Sequence, residues 1–190
     1  MAVELVYETH ATTTDNEAGI ATGWLPGRLS ETGRRDAQDL GERRRDDGVA
    51  AVFVSDLARA VETVEIAFAG SDLPVRRDAR LRECDYGERN GMPVSVLAPE
   101  RASHVDVPWP GGQSYRDVVA ATADFLRDLV EEWDGHRVVV VAHSANRWAL
   151  QHLLEGAALV DLVTAPFAWQ PGWSFTVPSG WSGPARTVSG

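Results

Sequence analysis

The chain contains no lysine, because all 18 of its basic residues are arginines. This absence excludes a Schiff-base lysine and the lysine of a phosphate-binding loop. The single cysteine, Cys84, cannot form an internal disulfide, and no cluster of cysteine and histidine has the spacing of a structural zinc site. An oxyanion bound by this protein must therefore be held by arginine, histidine or backbone groups, and we expect no metal.

Long hydrophobic runs and a basic surface are missing as well. No stretch approaches the roughly 18 apolar residues of a membrane span, and Met1 to Tyr7 lacks the basic region and apolar run of an export signal. The 28 acidic residues outnumber the 18 basic ones, and the net charge of −10 should repel nucleic acid and anionic membranes. We therefore expect a cytoplasmic protein with no nucleic-acid or membrane partner, and we leave a homodimer open.

Apolar and amphipathic segments alternate along the 190 residues, of which 44% are hydrophobic and 24% charged. This composition supports one core, which we place in a single domain over 1–178 with a flexible tail at 179–190. Four consecutive valines at 138–141 are typical of a central strand covered on both faces. The pattern predicts an α/β fold, a three-layer sandwich with a mostly parallel central sheet. Strands are predicted at 3–7, 51–54, 138–141 and 173–177, and helices at 31–47, 57–68, 94–99, 115–133 and 144–155.

Side chains that can carry chemistry follow the predicted strands. His10 and His143 each come directly after a strand, and at the carboxyl edge of an open α/β sheet they can converge on one crevice. Arg59 follows the strand at 51–54, and its planar guanidinium can hold two oxygens of an oxyanion. Taken singly, such histidines are more often structural, and a helical arginine is usually a solvated charge. Glu83 lies in an acidic loop within 80–112, a Pro- and Gly-rich segment of the kind that often overlies an active site.

Five short motifs occur in order between Val3 and about Leu154. They are His10 and Asn16 with Gly-Trp-Leu at 23–25 and Leu-Ser-Glu-Thr-Gly at 29–33, Ser-Asp-Leu-Ala-Arg-Ala-Val-Glu-Thr at 55–63, Leu-Arg-Glu-Cys-Asp-Tyr-Gly-Glu at 81–88, Gly-Gly-Gln-Ser at 111–114, and Val-Val-Ala-His at 140–143. This series resembles the signatures of the histidine phosphatase superfamily. The resemblance implies a phosphoglycerate-mutase-like fold and a metal-independent phosphatase without a cofactor, acting on a small phosphorylated metabolite. The short chain favours a phosphatase over a mutase.

The resemblance also implies roles for individual residues. His10 would attack phosphorus as a neutral imidazole and become a phosphohistidine. Glu83 would protonate the leaving oxygen and then activate water. Arg59 and a protonated His143 would hold the equatorial oxygens. The substrate-binding residues that the resemblance implies are Thr9, Asn16, Thr22, Gly23 and Ser144.

Two motifs depart from the family pattern. Where the family has Arg-His-Gly, this chain has Thr9-His10-Ala11, so a phosphate-binding arginine is missing. After the second histidine, Ser144-Ala145 replaces a Gly-Gly pair. Loss of one charge-assisted hydrogen bond costs roughly 1.5 to 3 kcal/mol, which is on the order of 10- to 100-fold in rate. The groups that could compensate are the guanidinium groups of Arg147, Arg82 and Arg28 and the hydroxyls of Thr9, Thr12 and Thr13.

Three functions stay open on these grounds. The first is hydrolysis of a small phosphomonoester. The second is ligand binding or regulation without turnover, because the arginine is lost and Glu8 would repel a dianion near the pocket. The third is proton transfer on a non-phosphate substrate, since an acid, two histidines and an arginine can also serve that chemistry. Trp24 and Trp109 could form an apolar wall for an organic leaving group or could simply pack in the core.

Overall fold

A computed structural model of the chain describes residues 1–183. Its strands are β1 (Ala2–Thr9), β2 (Ile20–Ala21), β3 (Ala51–Val54), β4 (Val75–Arg77), β5 (Met92–Pro93), β6 (Arg137–Ala142) and β7 (Trp173–Pro178). Its α-helices are α1 (Thr14–Glu17), α2 (Glu31–Arg44), α3 (Ala58–Ala67), α4 (Val94–Leu97), α5 (Tyr115–Trp133), α6 (Ser144–Glu155) and α7 (Leu159–Thr164). Short 3-10 helices occupy Ala79–Leu81, Gly87–Arg89 and Ala98–His104.

The central sheet has the strand order β4-β3-β6-β1-β7. Strand β6 runs parallel to β1 and to β3, and β3 runs parallel to β4, whereas β7 at one edge runs antiparallel to β1. The four valines at 138–141 are fully buried in β6, between two neighbouring strands. The mostly parallel sheet predicted from the sequence is confirmed.

Helices cover both faces of this sheet. Leu5 and Val6 are neighbours in β1, so their side chains point to opposite faces. Leu5 packs with Leu126 of α5 in a core that also includes α6. Val6 packs with Val64 of α3 in a second core that also includes α2. The three-layer arrangement follows from these two cores and confirms the predicted fold class.

Most helix bounds agree with the sequence prediction. Helix α5 begins and ends where predicted, and Ser114 and Asp117 form the capping box that their spacing suggests. Helix α2 is shorter than predicted: it ends at Arg44, before the chain turns at Gly48 with φ 68°. A glycine at this conformation is a common helix stop.

The segment 80–112 contains more local structure than predicted. The helix predicted at 94–99 ends as α4 at Leu97 and continues as a 3-10 helix. Pro99 is one reason, because it has no N–H to donate to an α-helical hydrogen bond. Strand β5 within this segment pairs with β2, which joins the segment to the loops after β1.

The end of the described chain runs along the sheet. Ser179 donates from its backbone N to the Met1 carbonyl, and Trp181 packs against the core on the α5 face. The flexible tail predicted for 179–190 and the single domain over 1–178 stay predictions, and residues 184–190 lie outside the described part. Across residues 1–183, no helix has the length and apolar character needed to span a membrane.

Candidate active site

A cavity of about 420 Å³ opens at the carboxyl edge of the sheet, beyond the ends of β1 and β6. It brings together all but one of the site residues predicted from the sequence. The predicted residues that line it are Thr9, His10, Asn16, Thr22, Gly23, Arg59, Glu83 and Ser144. The remaining one, His143, lies behind His10 with 5.1 Å between the ring centroids. The convergence of strand ends expected from the α/β alternation is therefore present.

His10 is held as a neutral imidazole with its lone pair at Nε2. Its Nδ1 lies 2.8 Å from the Ala11 carbonyl oxygen, and because a carbonyl only accepts, Nδ1 carries the proton. The Arg59 Nε–H donates to His10 Nε2 over 3.3 Å. Burial, and next the charge of Arg59, lowers the pKa of His10 to about 3. The ring is thus unprotonated at neutral pH, the state that a nitrogen nucleophile requires.

Arg59 lies in the first turn of α3, and its guanidinium is anchored by backbone carbonyls. Nη2 donates to the Gly23 carbonyl over 2.8 Å and Nη1 to the Leu25 carbonyl over 3.4 Å. Gly23 has φ 55°, and a Cβ atom there would overlap the Asn90 side-chain amide. This position therefore requires glycine, and through it the turn after β2 fixes the arginine beside His10.

Thr63 is a positioning residue whose role the sequence analysis did not assign. Its Oγ1 accepts from the Ala11 N–H over 3.0 Å and donates to the Arg59 carbonyl over 2.7 Å. One buried hydroxyl thus joins the segment that orients His10 to the helix that carries Arg59. Its place within the 55–63 motif was the available signal.

Glu83 is a buried carboxyl group held by its own loop. Its Oε1 accepts from the Cys84 N–H over 2.8 Å, and its backbone carbonyl accepts from Trp24 Nε1 over 2.6 Å. Burial raises the pKa of Glu83, against the lowering effects of the Cys84 hydrogen bond and the charge of Arg59. A carboxyl group that keeps its proton to higher pH than usual is suited to general acid catalysis.

His143 is fully buried at the start of α6. Its Nε2 lies 2.9 Å from Ser55 Oγ. Because Ser55 Oγ accepts from the Leu57 N–H over 3.3 Å, we assign its own proton to the bond with His143 Nε2. Within residues 1–183 the Nδ1 atom has no hydrogen-bond partner. Burial, then the charges of Arg59 and His10, hold the pKa of His143 well below its usual range. These effects favour the neutral ring, and the protonated His143 that the resemblance implies stays a prediction.

The charge that we expected from Glu8 is neutralised. Glu8 is 2% exposed and accepts from Arg44 Nε over 2.8 Å and from Arg43 Nη2 over 3.2 Å. The prediction that Glu8 repels a dianion is wrong, because two guanidinium groups from α2 balance its carboxylate. Arg43 itself also lines the cavity, as does Arg101 from the 3-10 helix at Ala98–His104, and both were missed.

Two of the three arginines proposed as substitutes for the missing motif arginine lie elsewhere. Arg82 makes two hydrogen bonds to Asp56, of 2.7 and 2.6 Å, and stacks over Trp24. Arg28 is exposed, and neither it nor Arg82 lines the cavity. Arg147 is buried and stacks on Phe167, a residue that lines the cavity.

The threonine hydroxyls also differ in whether they lie in the cavity and whether another hydrogen bond already occupies them. Thr13 does not line the cavity; its buried hydroxyl caps α1 by accepting from the Asn16 N–H. The Thr12 hydroxyl donates to Asp36 over 2.7 Å, and the Thr22 hydroxyl donates to Asp15 over 2.8 Å. Thr9 lines the cavity, and within residues 1–183 its hydroxyl makes no hydrogen bond that would occupy it.

The apolar wall of the cavity is formed by other aromatic residues than the two we expected. Trp109 is 1% exposed and packs in the core with Tyr86, and Trp24 is absent from the lining. Phe167 and Trp169 line the cavity instead and are 53% and 60% exposed. They lie in the loop after α7, where no periodic pattern marks them in the sequence.

The sheet order and the site at its carboxyl edge define an α/β protein with the phosphoglycerate-mutase-like fold. The chain matches the model of the Histidine phosphatase superfamily (branch 1) over residues 9–167, and it belongs to this family. A 2,3-bisphosphoglycerate-dependent phosphoglycerate mutase from Nitrobacter winogradskyi is 32% identical over 168 residues, 80% of each chain.

Comparison with solved structures supports the same fold and family. Bacillus stearothermophilus YhfR superposes with a TM-score of 0.79 at 28% identity, covering 89% of this chain and 88% of that one. A mycobacterial glucosyl-3-phosphoglycerate phosphatase superposes with a TM-score of 0.74 at 26% identity, covering 86% and 84%. Because the relatives include mutases and phosphatases, membership of the family supports an enzyme.

Proposed function

We propose that this protein is a phosphoric monoester hydrolase that works through a phosphohistidine at His10. The observation that carries the proposal is the state of His10, a neutral imidazole whose Nε2 lone pair lies beside Arg59 in a cavity that also contains the buried Glu83 carboxyl. These are the nucleophile, the cation and the acid that phosphoryl transfer to a histidine needs.

In the first step, His10 Nε2 attacks the phosphorus atom of the monoester. The N–P bond forms while the bond from phosphorus to the leaving oxygen breaks, and Glu83 gives its proton to that oxygen. The phosphorylated ring carries a positive charge. The Ala11 carbonyl stabilises this charge by accepting the hydrogen bond from Nδ1–H. Arg59 and His143 stabilise the phosphoryl oxygens.

In the second step, water attacks the phosphohistidine. The Glu83 carboxylate takes a proton from the water, the new O–P bond forms and the N–P bond breaks, so that inorganic phosphate and neutral His10 are regenerated. One water molecule is consumed in each cycle. Arg59, and a His143 ring that takes up a proton when the dianion binds, would provide the charge that a metal ion provides in many other phosphoryl-transfer enzymes, so the proposal includes neither metal nor cofactor.

We propose a small organic phosphomonoester as the substrate. The cavity of about 420 Å³ has room for a metabolite-sized molecule, and Phe167 and Trp169 offer aromatic surface to its organic part. We propose hydrolysis in place of mutase chemistry because the chain between Glu83 and Gly111 is short. The phosphoglycerate mutase and the glucosyl-3-phosphoglycerate phosphatase to which the chain is similar fit a phosphorylated metabolite.

The test is release of inorganic phosphate from a broad panel of phosphomonoesters with EDTA present. We expect the wild type to turn over at least one panel member and His10→Ala to be inactive on it. His136→Ala is the matched control, because His136 precedes β6 at the opposite edge of the sheet and should leave the rate unchanged. Glu83→Gln should slow both steps, since the amide can neither give nor take the proton.

One observation favours a second candidate, a family member that binds a phosphorylated ligand without turnover. Thr9 occupies the position of the family's arginine, and this loss weakens the hold on a phosphoryl group in the transition state if nothing compensates. In that case folded wild-type protein would release no phosphate from any panel member, while inorganic phosphate would still raise its melting temperature.

A further inference from the structure

Arg147 is a buried cation without an acidic partner. The residue is 8% exposed, and within residues 1–183 its guanidinium makes neither a salt bridge nor a hydrogen bond. Its neighbours are two aromatic rings, with the Phe167 centroid at 5.3 Å and the Trp173 centroid at 4.9 Å. Cation–π contacts offset only part of the cost of removing a charge from water. A buried guanidinium left in this state is poised to bind an anion.

Two separate elements place Arg147 at the position-9 side of the cavity. On α6 it follows Ser144 by three residues, so the two side chains share a helix face, and Ser144 lines the cavity. On β1, Thr9 and Tyr7 share a strand face, and the Tyr7 ring lies 5.9 Å from the Trp173 ring on which Arg147 stacks.

Phe167 separates the guanidinium of Arg147 from the cavity. Its ring lines the cavity on one side and stacks on Arg147 on the other. Half of the Phe167 side chain is exposed, so it can move without opening the core. The guanidinium is therefore one aromatic ring away from the wall that Thr9 and Ser144 form.

The other two cations that line the cavity are poorer candidates for the same role. Arg43 is already bound to the Glu8 carboxylate. Arg101 is close to Glu83 and Tyr86, on which its charge acts. That is the side on which the leaving group must meet its proton donor. Within residues 1–183 Arg101, like Arg147, has a buried Nε without a hydrogen-bond partner, but only Arg147 is placed by its contacts on the side of the missing arginine.

We propose that Arg147 supplies to the phosphoryl group the guanidinium charge that the family's arginine would supply from position 9. The inference rests on the proposed function. A dianionic phosphoryl group at His10 draws the Arg147 side chain past Phe167, and the short Thr9 side chain leaves room for it. Binding of phosphate and correct placement of Arg147 are therefore coupled.

The experiment compares the wild type, Arg147→Leu and the double variant Thr9→Arg/Arg147→Leu. We measure kcat/KM on the best panel substrate and the rise in melting temperature caused by inorganic phosphate. Arg147→Leu should lower kcat/KM roughly 10- to 100-fold and remove most of the phosphate-induced shift. The double variant should recover both, because the charge returns to the same side of the subsite from position 9. Leucine should fold well here, since apolar groups often replace buried charges without loss of stability.

Two controls make the result specific. Arg76→Leu removes an arginine that stacks on Trp133, far from the cavity, and should change neither readout. Arg101→Leu removes a cavity-lining charge close to Glu83, and Thr9→Arg should not compensate for its loss.

The inference would be overturned by Arg147→Leu with wild-type kcat/KM and an unchanged phosphate shift. A loss that Thr9→Arg does not recover would overturn it too, because position 147 would then not act through its charge. Either result would leave the proposed function intact as long as the wild type turns over substrate and His10→Ala does not.

Discussion

The tautomer and the orientation of the His10 ring are set by a short series of hydrogen bonds. The Ala11 carbonyl fixes the proton at Nδ1, and the Ala11 N–H is in turn held by the Thr63 hydroxyl. The same hydroxyl donates to the Arg59 carbonyl. One threonine thus sets the relative position of His10 and Arg59, the nucleophile and the cation of the proposed reaction.

Replacing Thr63 tests this positioning role. Thr63→Val keeps the volume but leaves the buried Ala11 N–H without an acceptor, which costs about 1 to 3 kcal/mol. We expect kcat to fall on the order of 10-fold or more, because reacting groups lose alignment, with a smaller change in KM. Thr63→Ser restores the hydroxyl and should recover most of kcat. Equal kcat values for the valine and serine variants would contradict the role.

The location of site residues could be predicted where a strand end or a motif marks them, as for His10, Arg59 and Glu83, which all line the cavity. Contacts could not be predicted where the partner is distant in sequence. The Glu8 carboxylate is neutralised by Arg44, 36 residues along the chain, and nothing local signals that pairing. The same holds for aromatic residues after α7, which reach the cavity only through tertiary packing.

At the scale of elements, the turn after β2 carries the anchor of Arg59. Gly23 has φ 55° and offers its carbonyl to the guanidinium, while the Asn90 amide lies where a side chain would be. The turn is thus packed from outside by the loop that follows Glu83. The two loops above the site support each other.

Gly23→Ala should disturb both stability and activity. Alanine at positive φ costs about 1 to 2 kcal/mol, and the overlap with Asn90 adds about 1 kcal/mol or more. Gly19→Ala is the matched control, because Gly19 has φ 68° with nothing within 4 Å of the added atom. Urea unfolding should show a larger loss for Gly23→Ala, and only this variant should lose kcat/KM. Similar losses in both variants would show that strain alone matters at Gly23.

The elements themselves were predictable where local signals exist. Helix α5 has a capping box at Ser114 and a continuous apolar face, and its predicted bounds agree with the structure. The 3-10 helix at Ala98–His104 has no such periodicity, and it forms where Pro99 ends α4 and the chain packs against α7. Its irregular geometry is set by tertiary contacts, which one sequence does not reveal.

At the scale of the whole molecule, the helices that cover both faces of the sheet also determine the surroundings of the side chains at its carboxyl edge. The α/β alternation predicts that strand ends converge, and the fold delivers His10 and His143 to one place. The depth of their burial was not predictable, because it depends on how α2, α3 and α6 close over the strand ends. That burial favours the neutral form of both rings and links the site to the stability of the fold.

The pKa of His10 makes the stability of the fold depend on pH in a definite direction. The pKa of His10 is about 3 in the folded protein against an ordinary value of 6.5. Between these values the unfolded chain binds more protons, so the contribution of His10 to stability is lost as pH falls below about 6.5. At pH 5 the loss amounts to about 2 kcal/mol. Glu83 acts in the opposite direction, because its raised pKa favours the folded state as pH falls through that value towards 4.5.

The His10 contribution can be isolated by comparing the wild type with His10→Gln at pH 8 and pH 5. Glutamine keeps a hydrogen-bonding side chain but does not titrate, whereas Glu83 and His143 titrate in both proteins. Urea unfolding in phosphate-free buffer gives the free energy of unfolding for each. From pH 8 to pH 5 the wild type should lose about 2 kcal/mol more than His10→Gln. If the two proteins lost the same free energy of unfolding, His10 would take up a proton in the folded state at pH 5. Burial would then not keep its Nε2 unprotonated.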